Sequence, residues 1–238
     1  MKIGAISDIH GSLVDIEPCD VLCICGDILP LHIQRNKYKS IAWLSGPFQD
    51  WALNLPCKKV ILIWGNHDFL GEELSEKYNT YGLTGDEQSD LLFQRDKEFK
   101  INIISDESYV YDGIKFYGVS WCPSLKNWAF YGEKDKLLEK YSHIEPDTDI
   151  LLTHCPPKFG EQGVVLDTGN WNFLMDFGSE ELYQTLLEKP LIKYCLSGHI
   201  HSGRHRIEEL GGTKCRNVST KDENYEAVYP PFYFEIEK

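Results

Sequence analysis

Short apolar runs recur along the chain: KIGAIS (2–7), VLCIC (21–25), KVILIW (59–64), IKFYGVSW (114–121), DILLTH (149–154), IKYCLSGH (192–199), CRNVS (215–219) and FYFEI (232–236). Most hold four to six consecutive apolar positions without alternation, the pattern of strands covered on both faces. Helix candidates lie between them at 86–99, 133–141 and 179–188. Gly178-Ser179 ahead of EELYQTLLE supplies an N-cap with acids in the first turn, and Pro190 follows the helix. Strands alternating with helices predict an α/β layered architecture, and the close spacing of the later strands predicts an antiparallel part. Stretches 28–56, 69–85 and 122–132 read as irregular loops directly after polar motifs, where they would line a site. With no repeat, low-complexity tract or linker, residues 1–238 are expected to form a single domain.

Composition narrows the picture. A chain of 238 residues can bury a sizeable core, and 42% hydrophobic with 13% aromatic residues argues against disorder. No apolar run approaches the roughly 20 residues of a membrane-spanning helix. The start, MKIGAISDIHG, reads as a strand rather than a leader, so a cytoplasmic location without a membrane partner is expected. The eight cysteines lack a repeating spacing and read as small buried hydrophobes in a reducing compartment, with Cys23 and Cys25 on the core face of one strand. A formal charge of −13 makes a long nucleic-acid duplex a poor partner unless bound metal supplies positive charge locally.

Polar clusters follow five of the apolar runs: Asp8-Ile9-His10, Gly26-Asp27, Gly65-Asn66-His67-Asp68, Thr153-His154 and Gly198-His199-Ile200-His201. In layered α/β folds the carboxyl ends of strands converge on one rim, so these distant residues can meet. In an extended stretch Asp8 and His10 would point the same way, as would His199 and His201. Gly26, Gly65 and Gly198 allow sharp turns and close backbone approach. The oxygen and imidazole donors suit Mn, Fe, Zn, Ni or Co better than Ca or Mg, and thiolates are absent from the clusters.

The ordered series D-x-H, G-D, G-N-H-D, H and G-H-x-H, spanning positions 8 to 201, resembles the calcineurin-like metallophosphoesterase superfamily. SWCPSLKNWAF (120–130), DILLTHCPPKFG (149–160), GHIHSG (198–203), NVS (217–219) and YPPFYFEI (229–236) are similar to its metallophosphoesterase domain-containing, class III phosphodiesterase-like branch. The resemblance implies an α/β fold, a four-layer αββα sandwich with two mixed sheets, and a site at the rim for two divalent transition-metal ions, with manganese the expected ion in vitro. It assigns Asp8, His10 and His201 to the first ion and Asn66, His154 and His199 to the second, with Asp27 bridging. His67 would act on the substrate, and Asp68 would orient His67. The implied activity is phosphodiester hydrolysis of a small phosphorylated substrate, such as a nucleotide-type ester, by in-line attack of a metal-bridging hydroxide. A monomer or homodimer is expected. Alternatives are a phosphomonoesterase or protein phosphatase, although ILPLH follows Asp27 where protein serine/threonine phosphatases continue with Asp-Arg-Gly, a DNA-repair nuclease, and a scaffold of low activity, although no ligand is missing.

Other residues weigh differently. Arg204 and Arg206 could reach a substrate phosphate, but pairing with Glu208 and Glu209 on a solvated turn is the expected reading. His32 and His143 read as surface residues, and His205 as serving neither ion. Trp121, Phe130, Tyr131, Trp171 and Phe173 read chiefly as packing, whereas Trp128 is as suited to stacking a base as to packing. Cys155 is given no catalytic role, because the prolines after it suggest a tight turn that aims His154.

Overall fold

The computed structural model describes residues 1–81, 89, 92, 93, 96, 98–123, 125–166, 174–202 and 205–237. The apolar runs become strands in two sheets. One sheet contains β1 (Lys2–Ile6), β2 (Val21–Cys25), β3 (Lys59–Ile63), β4 (Ile101–Ile103) and β13 (Phe232–Glu235), in the order β13-β1-β2-β3-β4. The first four of these run parallel, and β13 closes the edge antiparallel to β1. The other sheet contains β5 (Glu107–Tyr111), β6 (Ile114–Val119), β7 (Ile150–Thr153), β10 (Tyr194–Ser197), β11 (Glu208–Leu210) and β12 (Thr213–Asn217), in the order β11-β12-β10-β7-β6-β5. Its central strands β12, β10, β7 and β6 are parallel, and its two edges are antiparallel, as the crowding of late strands predicts. Strands β8 (Val164–Leu166) and β9 (Leu174–Asp176) form a separate antiparallel pair.

The unalternating apolar runs follow from double coverage. Along β2 every residue is buried: Cys23 and Cys25 join the interior between the sheets, while Leu22 and Ile24 join the outer, helix-covered core. Between the sheets lie Ile3, Ala5, Ile61 and Ile63 with Ile114, Phe116, Ile150, Leu152 and Leu196. Outside the first sheet pack α1 (Lys37–Trp43), α2 (Gln49–Asn54) and α3 (Phe69–Tyr81), and outside the second pack α4 (Lys134–Ser142) and α5 (Glu180–Glu188), giving four layers. Leu137 and Tyr141 of α4 and Leu182 and Leu186 of α5 are buried there. Ser179 caps α5, its Oγ accepting the Leu182 amide at 3.1 Å.

Two stretches expected to be irregular are partly helical, and a third expectation is only partly covered. Residues 37–54 hold α1 and α2 joined by a π-helical turn (Leu44–Phe48) that accommodates Pro47. Only Ser40 is buried in α1, so no apolar stripe marks it in the sequence. Residues 69–81 form α3, whose Gly71 lacks a Cβ because one would strike the Trp64 indole. The helix expected over 86–99 lies largely outside the described residues, of which Ser89 and Leu92 are helical. The described residues of stretch 122–132 are irregular, as expected. Among the described residues, no helix is long and apolar enough to cross a membrane.

Phe116 is fully buried between the sheets. Truncating it in Phe116→Ala is expected to lower the unfolding free energy by about 3–5 kcal/mol in urea denaturation; a midpoint unchanged from wild type would mean this interior is not the stabilising core.

Candidate metal centre

Five parallel strands deliver their following loops to one rim. Asp8 lies two residues beyond β1, Asp27 two beyond β2, Asn66 three beyond β3, His154 immediately after β7 and His199 two beyond β10. Their placement does not come from extended chain, as the period-two argument for Asp8/His10 and His199/His201 supposes. Asp8, His10, Asp27 and His199 have φ of 54°, 42°, 53° and 68°, left-handed backbone that side-chain-bearing residues seldom adopt. The turns are held by backbone bonds, from the Asp8 amide to the Gly26 carbonyl (3.0 Å), the His10 amide to the Asp27 carbonyl (3.0 Å) and the Gly198 amide to the His154 carbonyl (2.9 Å). A Cβ on Gly65 would collide with the Asp27 carboxylate and one on Gly198 with Ser7 and the Asp8 carboxylate, so those two glycines set how closely the loops approach.

The rim gathers all seven proposed ligands. Donor atoms of Asp8, His10 and His201 lie within 4.8 Å of one another. Opposite them, Asn66 Oδ1 stands 2.8 Å from His154 Nε2 and 2.9 Å from His199 Nδ1. Asp27 sits between the groups, with Oδ2 3.7 Å from His10 Nε2 and Oδ1 3.4 Å from His154 Nε2. The far nitrogens of two rings are anchored, His154 Nδ1 donating to the Cys25 carbonyl (2.8 Å) and His201 Nδ1 to the Asp222 carbonyl (3.1 Å), which turns each Nε2 toward the site. One soft donor joins that sequence reading did not place there: Cys122, whose sulfur lies within 4.8 Å of donor atoms of His154 and His199. The cluster is therefore not free of thiol.

Two observations fit this donor set to divalent cations. Both ring nitrogens of His10 are buried without a hydrogen-bond partner among the described residues, the condition expected of a ligand lacking its ion. Asp8 and Asp27 are 0% and 1% exposed, and among the described residues neither pairs with a lysine or arginine. Buried charge of that kind requires a counter-charge. Burial alone would lower the His154 pKa, but the adjacent Asp27 carboxylate overrides it and pushes the ring up to about 10, so that a proton supplies part of the missing charge. Burial, with His154 beside it, pulls His199 down to about 3, and burial pulls His10 down to about 4, leaving both rings neutral and able to ligate.

Asp68 corrects an expectation. Its carboxylate accepts the amides of Ile28 (3.0 Å), Leu29 (3.0 Å) and Gly65 (2.8 Å) and does not bond the His67 ring. It ties the loop after β2 to the loop after β3, while His67 Nδ1 meets Gln34 Oε1 at 2.6 Å. Burial and the Asp27 charge push the Asp68 carboxyl up to about 7. His67 lines a cavity of about 250 Å³ together with Asp27, Asn66, Trp128, His201 and Tyr225. Trp128, open between stacking and packing, is half-buried with its ring 4.4 Å from that of His67. Tyr225 packs edge-on to His10 and His201. Sequence reading singled out neither residue: Gln34 lies in stretch 28–56, expected to line a site, and Tyr225 between NVS (217–219) and YPPFYFEI (229–236), but neither is itself a motif residue.

The remaining candidates resolve simply. Arg206 pairs with Glu161 and Glu208. His32 and His143 are exposed, Trp121 and Phe130 are buried, and the Cys155 thiol points to the carbonyls of Pro156 and Phe177. Arg204, Trp171 and Phe173 lie outside the described residues.

Comparison with known proteins agrees with this architecture. A family model described as calcineurin-like phosphoesterase matches residues 1–203. A UPF0046 protein of Caenorhabditis elegans is 30% identical over 246 residues, 99% of this chain and 81% of its own length. Metallophosphoesterase domain-containing protein 1 of Homo sapiens is 26% identical over 248 residues, 99% of this chain and 71% of its own. Among solved structures, a Thermus thermophilus protein superposes with a TM-score of 0.57 at 14% identity, covering 91% of this chain and 88% of its own. A structure from Danio rerio described as a dimetal phosphatase gives 0.50 at 12% identity, covering 91% and 86%. At such identities the likeness shows the fold.

Asp68→Ala would strand three buried amide donors. It is expected to cost at least about 3 kcal/mol in urea denaturation of the metal-free protein; a loss below about 1 kcal/mol would mean that water or another group replaces the carboxylate.

Proposed function

Because the chain belongs to the calcineurin-like phosphoesterase family, and is thereby a metal-dependent phosphoester hydrolase, we propose that its rim site cleaves small phosphodiesters with two divalent ions bound. Asp8, His10 and His201 would hold one ion, Asn66, His154 and His199 the other, and Asp27 both. The observation that carries this reading is the burial of His10, with neither ring nitrogen hydrogen-bonded among the described residues, beside two buried carboxylates that no described lysine or arginine neutralises. Paired divalent ions, when bound, supply Lewis acidity toward phosphoryl oxygens and lower the pKa of water.

The chain's own residues supply orientation and proton handling. His67 reaches into the cavity with Nε2 3.8 Å from Asp27 Oδ2. From there it can donate a proton from Nε2 to the oxygen that leaves as water adds to phosphorus and the P–O ester bond breaks, a contribution of about 10²–10⁴-fold. Among the described cavity-lining residues there is no lysine or arginine, and Glu223 adds a negative charge. That balance favours a diester, with one negative charge, over a monoester dianion. Trp128 and Tyr225 offer flat surfaces for a planar ester group such as a nucleotide's base. A cavity of about 250 Å³ in a chain of charge −13 suits a small substrate better than a long duplex. The free thiols suit a reducing cytoplasm.

Manganese-loaded protein is expected to hydrolyse bis(p-nitrophenyl) phosphate faster than p-nitrophenyl phosphate, and Asp27→Asn to lower the diester rate by about 10³-fold. The reverse preference would make the chain a monoesterase. Binding of fewer than about one ion per chain, with no turnover of either ester, would indicate a scaffold.

A further inference from the structure

We propose that Gln34 is a positioning residue for the reaction: its side-chain carbonyl fixes the His67 ring with the proton on Nδ1 and Nε2 directed into the cavity, and it does so without adding charge. This rests on the phosphoesterase reading of the rim and assigns one further residue to it.

The geometry is specific. Gln34 lies in the turns between β2 and α1, its amide bonded to the Pro30 carbonyl (3.2 Å), and its Oε1 is 2.6 Å from His67 Nδ1. An amide oxygen can only accept, so Nδ1 is the donor; the neutral ring then carries its lone pair on Nε2, which must itself take up a proton before it can pass one to the leaving oxygen. The rest of the His67 environment leaves that orientation to Gln34. The backbone amide of His67 donates to Asp27 Oδ1 (2.8 Å), which fixes the main chain but not the ring. Among the described residues, the rings of Trp128 at 4.4 Å and His10 at 4.8 Å confine the imidazole without selecting a tautomer, and Asp27 Oδ2, 3.8 Å from Nε2, stands beyond hydrogen-bond distance. Asp68, the adjacent carboxylate in sequence, is fully engaged by three backbone amides.

The choice of an amide has an electrostatic reason. The cavity has Asp27 and Glu223 on its wall, with the buried Asp8 carboxylate within 4.8 Å of that of Asp27, and it must admit an anionic ester. A carboxylate at position 34 would hold Nδ1–H equally well but would place another negative charge against the substrate. Orientation and charge are therefore separable by substitution: Gln34→Leu removes the acceptor at similar volume, and Gln34→Glu keeps the acceptor but adds the charge.

The test uses the zinc-loaded full chain, which is diamagnetic, with ¹⁵N-labelled histidine, and His67→Ala to assign the resonances. Wild type is expected to show His67 as the Nδ1–H tautomer, Gln34→Glu to retain it, and Gln34→Leu to lose it. In steady-state kinetics on bis(p-nitrophenyl) phosphate, Gln34→Leu should lower kcat by about 10–100-fold, the range for residues that orient a site histidine, with KM and bound metal unchanged. Gln34→Glu should restore most of kcat while raising KM. An Nε2–H tautomer in wild type, or wild-type kcat in Gln34→Leu, would overturn the proposal. A Gln34→Leu loss of kcat that Gln34→Glu does not relieve, or that is accompanied by loss of metal, would reduce Gln34 to a structural residue and overturn it equally. If wild type itself turns over neither ester, it is the hydrolase reading that fails, and the tautomer measurement still decides whether Gln34 sets the ring.

Discussion

Two buried carboxylates that no described lysine or arginine neutralises govern this rim. Asp8 and Asp27 are almost wholly removed from solvent, and they lie close to each other among imidazoles and backbone amides. A site built to be stable without a cation would pair such groups with arginine or replace them with apolar side chains. Here they are retained, and beside them lies the His10 ring, whose nitrogens have no hydrogen-bond partner among the described residues. The surrounding arrangement follows: glycines where a Cβ would strike a carboxylate, outer ring nitrogens tied to backbone carbonyls, and neutral imidazoles held by burial.

The backbone bears part of this cost. Four ligand-bearing residues sit in left-handed conformation, each disfavoured for a residue with a side chain. They persist because hydrogen bonds over-determine them. The His199 amide donates to both Asp8 carboxylate oxygens (3.1 and 3.0 Å), joining the loop of one sheet to that of the other, and Asp68 performs the corresponding task between the loops after β2 and β3.

Much of this was legible in the chain. The doubly covered strands announced themselves as unalternating apolar runs, because a strand between a sheet and a helix layer has no polar face, and the five polar clusters at their ends gave the residues that gather at the rim. What was hidden had physical causes. Helix α1 buries almost nothing and so lacks a stripe, and α3 carries Gly71 for the sake of Trp64. The β5–β6 hairpin did have a readable sign, Asp112-Gly113 with both φ positive (45° and 76°), the pair that a tight hairpin turn favours. Asp68 illustrates a different limit: adjacency to His67 suggested a partner, whereas its hydrogen bonds run to backbone in three other places. Gln34 and Cys122 reach the site through tertiary contact; Cys122 lies within SWCPSLKNWAF, but nothing in that run marks its sulfur as a donor.

The bond from the His199 amide to the Asp8 carboxylate spans 191 positions of sequence and crosses from one sheet's rim to the other's. Cations held by the proposed donors would therefore sit only where both sheets meet, since neither sheet alone carries either proposed set. Ligand-linked stabilisation would then act on the assembled sandwich and not on its parts.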